Sequence, residues 1–418
     1  MAISPDTFAR SAGRLVAVVC AAQVLVQIGA FFWPALLPGM MRLWDLSNSE
    51  AGWITASFYG AYMLSVPLLV TLTDRIDPKR VYLFGVASTL AGHLLFGLLA
   101  QGFWSALLLR ALTGMGWAGT YMTGLKLLAD CVDAKMMSRA TAGHAASIGI
   151  SGALSFATGD LIAALAGWQA AFLAAAASAT IAWILVAVIV PAQGKAAVPA
   201  KEGQGLYDFR PVFRNSSAMA YAIAYCIHTL EMSALRGWGV AFLGYVAATT
   251  GAAAASVLSP AIVATGLGLI GTFASVAGNE AAIRYGRKRL IVTAMMTSIL
   301  IGATIGFIGS ISYALAAALL TLYGIVIWLD SSSLTAGTAG TAEPSRRGAT
   351  LAVHSMLGYG GGFVGPLLIG WVLDLSGGMS QVGWGLSFLS VAMLMALALV
   401  TFWTIRPREL EGDKTRAT

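Results

Sequence analysis

The chain has 418 residues, of which 58% are hydrophobic and only 10% are charged. A soluble domain carries about 25% charged residues, so this composition excludes large soluble α-helical proteins and repeat solenoids. The formal net charge is +7, but no basic patch with interleaved aromatic residues points to a nucleic-acid partner. The composition indicates an integral membrane protein.

Near-continuous apolar runs of about 20 residues, the length that crosses a hydrocarbon core, predict twelve transmembrane helices. Their centres lie near residues 28, 62, 91, 117, 154, 180, 231, 268, 300, 321, 362 and 394. Several of these runs are rich in Gly and Ala, which let membrane helices approach one another closely. The predicted fold class is therefore an all-α membrane protein.

The distribution of Lys and Arg between the runs predicts the orientation, because cytoplasmic loops carry an excess of these residues. One set of loops and both tails hold nearly all of them, whereas the opposite loops hold only Arg42. Both termini are therefore expected in the cytoplasm. The first apolar run is too long for a signal-peptide core of about 7–15 residues. The three cysteines have neither metal-site spacing nor a disulfide pattern.

A polar stretch at 191–217 divides the chain into two halves with six predicted spans each. The halves echo each other: GWQAAF at 167–172 recurs as GWGLSF at 383–388. We therefore predict a six-helix bundle at 1–190, a cytoplasmic linker at 191–217, and a second six-helix bundle with a short tail at 218–418. Internal duplication is a recurring plan of secondary transporters.

Two motifs support this plan. The loop after the second span reads VTLTDRIDPKR (70–80), and the fourth span contains RALTGMG (110–116). Together with the twelve spans and the central linker, they resemble the G-x-x-x-D-R-x-G-R/K-R/K and R-x-x-x-G-x-G signatures of the major facilitator superfamily, over essentially the whole chain. The loop departs from the family pattern at Val70 and Asp77, where the family has Gly. Its second-half copy has Ile283 in place of the Asp.

The resemblance implies a gating latch at this loop. Asp74 and Arg75 would hold the two bundles together when the outer side is open, and would release them on inward opening. A carboxylate at position 74 can meet the positive end of the helix that starts near Ala349. Arg75 has a candidate partner in Asp130 at the end of the fourth span.

Charged groups inside the spans are candidate functional residues, since a charge at mid-bilayer costs about 2.5–3.5 kcal/mol on insertion scales. Arg110 in the fourth span and Asp160 in the fifth lie at similar predicted depths. They either form a structural ion pair or belong to the transport path. In the second case Arg110 binds an anionic substrate or tunes a proton-binding carboxylate, and Asp160 is a candidate for proton coupling.

The seventh span contains HTLEMSALRGW, which places His228 and Glu231 on one helical face and Arg236 farther along. A carboxyl near the bilayer centre resists ionisation and can exchange a proton with either side, so we expect Glu231 to carry the coupled proton. The alternative is a neutral Glu231 that only forms hydrogen bonds in the bundle. Arg236 contacts substrate or extends its side chain to the outer surface.

The family resemblance also implies that the first, fourth, seventh and tenth helices line a central cavity. From these helices we expect substrate contacts by Gln27, Phe31, Trp117, Tyr121, His228, Tyr323 and Trp328, in addition to Arg110 and Arg236. Asp330 is expected to be a charge at the end of the tenth helix, not a ligand. His144 and His354 occupy matching positions near helix starts.

These features predict a secondary active transporter in a bacterial inner membrane. It would act as a monomer on a small organic solute by alternating access, with protons as the coupling ion and no cofactor or metal. Arg110 and Arg236 slightly favour an organic anion. Drug efflux and uniport are both retained as alternatives. The fifth span lacks the Pro of the antiporter signature, which argues against efflux without excluding it. An intramembrane enzyme is disfavoured because the four histidines are scattered, and a receptor because the sequence shows no long soluble segment. ATP-driven transport is disfavoured because no phosphate-binding Gly-rich loop followed by Lys is present.

Overall fold

The structure is a computed structural model that describes residues 5–73, 75–129, 132, 134–192, 209–252, 257–410 and 413. The described residues form α-helices joined by short turns, and they contain no β-strand. In the first half the helices are α1 Pro5–Gln27, α2 Phe32–Trp44, α3 Asn48–Leu72, α4 Pro78–Leu99, α5 Phe103–Ala118, α6 Tyr121–Ala129, α7 Ala134–Ala166 and α8 Trp168–Ile189.

In the second half the helices are α9 Arg210–Arg214, α10 Ser216–Thr250, α11 Pro260–Tyr285, α12 Arg287–Ile308, α13 Tyr313–Leu329, α14 Ser331–Thr341, α15 Arg347–Leu375 and α16 Gln381–Ile405. Single 3₁₀ turns follow α12 and precede α15. The predicted all-α membrane fold is thus confirmed.

Ten helical stretches among the described residues are long and apolar enough to cross a membrane. Two of them join consecutive helices: Gly13–Trp44 contains α1 and α2, and Tyr313–Thr341 contains α13 and α14. The other two predicted spans coincide with α5–α6 and with α10. The first of these is interrupted after Ala118, and the second carries His228, Glu231 and Arg236.

Helix ends explain one departure from the family loop signature. Asp77, where the family has Gly, is the N-cap of α4 and accepts a hydrogen bond from the Lys79 backbone N–H at 2.9 Å. Pro78 follows as the first helical residue, a position at which its missing N–H costs nothing. Asp77, in place of the family Gly, therefore caps the start of α4.

Glycine permits close helix contact in the first half. A Cβ on Gly116 would lie 2.6 Å from the Thr89 backbone nitrogen, and one on Gly119 would lie 2.7 Å from Gly85 Cα. The second Gly of the RALTGMG motif therefore serves the contact between α4 and α5, the type of small-residue interface common in membranes.

By internal contacts the described chain forms two compact units. The first contains the described residues within Met1–Leu36 and Ala61–Glu202, and the second those within Leu37–Gly60 and Gly203–Thr418. In the first unit, α4 packs on α5 and α8, and α1 packs on α7 and α8. In the second, α10 packs on α15, α12 on α16 and α11 on α13.

The start of α3 belongs to the second unit, where it docks on the end of α15. Asp374 accepts hydrogen bonds from the backbone N–H groups of Asn48 at 3.1 Å and Ser49 at 2.7 Å, and from the Asn48 side chain at 2.7 Å. These N–H groups are at the helix start and have no partner inside the helix. Gly370 lies against the Asn48 carbonyl with no room for a Cβ.

Candidate functional site

Helix α10 carries a polar face through the interior of the second unit. Tyr225, His228 and Glu231 follow one another at spacings of three residues, so they lie on the same side of the helix. His228 and Glu231 are each only 1% exposed. A polar face this well buried needs hydrogen-bond partners from the neighbouring helices.

Glu231 obtains its partners from α12 and α13. Tyr323 donates its hydroxyl to Glu231 Oε1 at 2.6 Å, and the Ser298 hydroxyl donates to the same oxygen in a very short contact. A hydroxyl group can donate to an ionised carboxylate and can also accept from a protonated one. The two hydroxyls can therefore satisfy Glu231 in both of its charge states.

His228 approaches a second carboxylate, that of Asp330. The distance from His228 Nδ1 to Asp330 Oδ1 is 3.0 Å, and the two side chains are 2% and 5% exposed. Asp330 occupies the break between α13 and α14, within the span Tyr313–Thr341. Asp330 thus ends α13, as expected of the tenth helix. It is not a charge at the end of the span, however, because α14 continues that span for a further eleven residues.

A stack of three rings extends this cluster towards α15. The Tyr225 ring stacks on His228 at 5.5 Å and on His354 at 4.0 Å between centroids. The two ring nitrogens of His354 lie 3.2 and 3.1 Å from the hydroxyls of Thr335 and Thr338 on α14. His354 thus joins the polar interior of this unit.

Arg236 lies half-buried two helical turns beyond His228 on α10. Its guanidinium carbon stands 4.6 Å from the centroid of the Trp328 ring, which is a cation–π contact. Arg236 also hydrogen-bonds to Tyr59 and interacts with Tyr359. The predicted substrate residues Arg236 and Trp328 are therefore in direct contact, and an arginine held among aromatic rings can bind an anion.

In the first unit, Phe31 is the centre of an aromatic group. It lies in the turn between α1 and α2, stacks on Phe156 at 5.4 Å and meets the edge of Trp117 at 6.2 Å. Trp117 in turn contacts Tyr62 at 5.9 Å. The structure thus brings together two of the predicted cavity residues, Phe31 and Trp117.

Arg110 is buried in the same unit at 2% exposure and donates from Nη2 to the Ala30 carbonyl at 3.1 Å, at the turn that follows α1. Asp160 is half-buried on α7. The contact of Arg110 with this turn ties α5 to α1. The proposed pairing of Arg110 with Asp160 stays a prediction.

Two other predicted residues of the first unit lie at helix ends. Gln27 is the last residue of α1 and is buried, and its side-chain nitrogen makes no hydrogen bond to the described residues. Tyr121 begins α6, and its carbonyl oxygen lies 2.9 Å from His144 Nε2. A carbonyl can only accept, so His144 carries its proton on Nε2.

The predicted latch is only partly described. Asp74 and Asp130 lie outside the described residues, and Arg75 is exposed. Lys79 in the same loop donates from Nζ to the carbonyls of Ala187 and Val190, at 2.8 and 2.6 Å. This lysine therefore holds the last turn of α8.

Sequence reasoning missed Ser298 and Tyr225 and assigned Asp330 to the wrong environment. Ser298 resembles any small residue in an apolar run, and Tyr225 resembles any interfacial tyrosine. For Asp330 the sequence did contain a signal of a broken helix. The segment LDSSS at 329–333 can interrupt a helix, and the residues that follow it are compatible with a new helix. Within the described residues, no group of three or more His, Cys, Asp or Glu side chains could hold a metal ion.

A helical membrane protein in two units, with helices broken in mid-span and a carboxylate buried at one of the breaks, has the plan of a secondary transporter. The sequence profile of the Major Facilitator Superfamily matches residues 19–329. The chain belongs to this family of membrane transporters.

Among curated proteins, human protein spinster homolog 1 is 26% identical over 241 residues, which is 55% of this chain and 45% of the human protein. The chain thus matches about half the length of such relatives. The crystal structure of a bacterial homolog of the human lysosomal transporter Spinster, inward-facing and unoccupied, superposes with a TM-score of 0.76 at 13% identity, over 100% of both chains. The nucleoside transporter NupG superposes with a TM-score of 0.74 at 14% identity, over 93% of this chain and 99% of that one.

Proposed function

We propose that this protein is a secondary active transporter that moves a small organic solute across a bacterial inner membrane, and that protons drive it. Glu231 is the proton carrier. The observation that supports this most directly is the pair of hydroxyl groups on Glu231, because a hydroxyl can donate to the carboxylate and can accept from the protonated carboxyl.

The solute is proposed to be an organic anion. Arg236, half-buried in the second unit, lies over the Trp328 ring, and Arg110, buried in the first unit, contacts the carbonyl of Ala30 beside Phe31. An aromatic surface with an arginine suits a carboxylate or phosphate attached to an apolar body. Arg110 and Phe31 would act in the first unit, and His228, Arg236 and Trp328 in the second. The structural neighbours, a nucleoside transporter and a bacterial homolog of a human lysosomal transporter, are compatible with a small organic solute.

Alternating access would arise from rocking of the bundles 1–190 and 218–418 about the linker 191–217, with both termini in the cytoplasm. Asp74, Arg75 and Asp130 form the latch in this proposal. Asp74→Asn is expected to slow transport several-fold and to leave solute binding nearly unchanged, because the latch lies outside the cavity. Unchanged transport in proteoliposomes at equal protein levels would contradict this role.

The proposed function is tested in two stages. A thermal-shift screen of organic anions on the purified protein identifies solutes that raise the Tm, because a ligand that binds the native state stabilises it. Each such solute is then offered to proteoliposomes with a pH gradient and a membrane potential clamped at zero. We expect accumulation that depends on the pH gradient.

The same assay separates the alternatives. Flux that equilibrates the solute but ignores the pH gradient would indicate a uniporter or another driving ion. Extrusion of cationic, drug-like compounds instead of organic anions would indicate efflux. Chemical conversion of the solute without flux would indicate an intramembrane enzyme and would overturn the proposal.

A further inference from the structure

We propose that His228 and Asp330 form a second proton-binding site that is coupled to Glu231, so that the interior of the second unit takes up two exchangeable protons and not one. The inference rests on the proposed function, because it extends the proton-coupled cycle from one carrier to a relay. It is carried by the position of Asp330 at a helix break in mid-span, 3.0 Å from a buried histidine.

The charges within the cluster explain why a second proton is needed. Glu231 and Asp330 are both buried, at 1% and 3% exposure, and they interact electrostatically with each other. With no proton bound, this small volume carries two negative charges in surroundings that stabilise charge poorly. One bound proton leaves one negative charge, and two leave none. The cluster is therefore expected to bind two protons in successive steps, not a single proton.

The neighbouring groups do not remove this charge. The titratable side chains around the pair, among the described residues, are Glu231 and Tyr225 on α10, Tyr323 on α13 and His354 on α15. None of these is a fixed cation. Arg236, the half-buried arginine of α10, contacts Trp328, Tyr59 and Tyr359 instead.

His228 has the geometry of a proton relay. Its Nδ1 lies 3.0 Å from Asp330 Oδ1, and neither of its buried ring nitrogens makes a well-aligned hydrogen bond to the described residues. An imidazole can accept a proton at one ring nitrogen and release one at the other. Nε2 is thus a site for proton entry, and the imidazolium formed is stabilised by the Asp330 carboxylate. Glu231, one turn along α10, then takes up the second proton.

The test uses the full-length protein in lipid nanodiscs, with the proton as the only ligand. The chain has four histidines, so ¹⁵N-histidine NMR resolves each imidazole, and single His→Gln variants assign the signals. We expect the His228 signal to change as the pH is lowered, because the imidazole takes up a proton beside Asp330. In Asp330→Asn this change is lost, and in Glu231→Gln its midpoint moves because the two sites interact. Glu280→Gln, which alters an exposed carboxylate, leaves it unchanged.

A count of protons provides a second measurement that does not depend on the folding of Asp330→Asn. Potentiometric titration over the same range should show one proton fewer for His228→Gln than for the native protein, one fewer for Glu231→Gln, and two fewer for the double variant. An unchanged His228 titration in Asp330→Asn, or an unchanged count in His228→Gln, overturns the second site. A deficit in Glu231→Gln alone would leave the proposed function standing and reject only this inference.

Discussion

Tyr323 on α13 donates its phenolic hydroxyl to the Glu231 carboxylate on α10, with 2.6 Å between the two oxygens. The bond joins two helices at a depth where neither residue is more than 1% exposed. It therefore connects the proposed proton carrier to the helix that is broken at Asp330, so a change in the charge of Glu231 acts directly on α13.

Tyr323→Phe tests this connection. The variant leaves Glu231 with Ser298 alone, and we expect pH-driven transport to fall about tenfold or more. The loss of stability should be about 0.6–1.7 kcal/mol, the range measured for hydrogen bonds between membrane helices. The measurements are initial flux in proteoliposomes and thermal unfolding.

Tyr313→Phe is the matched control on the same helix. Tyr313 donates to the Leu258 carbonyl at 2.5 Å, near the start of α13 and away from Glu231. It should lose a similar amount of stability without a specific loss of pH-driven transport. Equal transport by the two variants would show that the Tyr323–Glu231 bond is only structural.

The ion pair between Arg287 and Asp413 is predicted to stabilise the second unit. The pair is bidentate, at 2.9 and 3.0 Å, and its side chains are 3% and 4% exposed. Removal of one member of a buried pair leaves an uncompensated charge and costs about 3–5 kcal/mol. Arg287→Ala should therefore lower the free energy of unfolding by about 3 kcal/mol, less if the chain end moves to expose Asp413.

The neighbouring pair of Arg284 and Glu280 provides the control. Arg284 Nε lies 2.9 Å from Glu280 Oε1, and the two side chains are 64% and 56% exposed. Such exposed pairs contribute about 0–1 kcal/mol to stability. Arg284→Ala should be close to neutral. Equal losses for Arg287→Ala and Arg284→Ala in denaturant titrations would contradict the assigned role of Asp413.

Arg110 and Asp160 are predicted to interact in the first unit. If they do, Arg110→Ala should destabilise the protein more than the double variant with Asp160→Ala, because a lone buried charge is worse than none. We expect a coupling energy of about 1–3 kcal/mol in a double-mutant cycle. If the stability losses of the two single variants simply add, Arg110 and Asp160 do not interact. The main structural role of Arg110 would then be its contact with Ala30.

Composition and hydropathy were enough to predict the membrane fold, because about 20 apolar residues in a row leave few alternatives. The family was indicated by the resemblance of the motifs at 70–80 and 110–116 to its signatures. The helix breaks were not predictable in the same way. Asp330 follows WL and precedes SSS, which reads as a helix end, yet α14 begins at the next residue. Where a broken helix resumes depends on neighbours that re-satisfy its backbone groups, and a single sequence does not contain that information.

The candidate site was predictable where the charge itself was the signal, and the family resemblance added Tyr323 and Trp328 on the tenth helix. Glu231 and Arg236 stand out because ionisable residues are rare in apolar runs. Ser298 and Tyr225 do not, because their roles come from the packing of α12 and α15 against α10. The carboxylate that pairs with the second-half loop also lies far away in the sequence. Ile283 stands where the family has Asp, and Arg287 pairs instead with Asp413, 126 residues later.

The most direct test of the account is pH-driven accumulation by Glu231→Gln. This substitution keeps the shape and one hydrogen-bonding oxygen of the side chain, but the amide cannot release a proton. In proteoliposomes with the membrane potential clamped at zero, the variant should not accumulate a solute that the native protein accumulates, and should still exchange that solute between two loaded sides. Accumulation by Glu231→Gln against the solute gradient, with only a pH difference applied, would contradict the account.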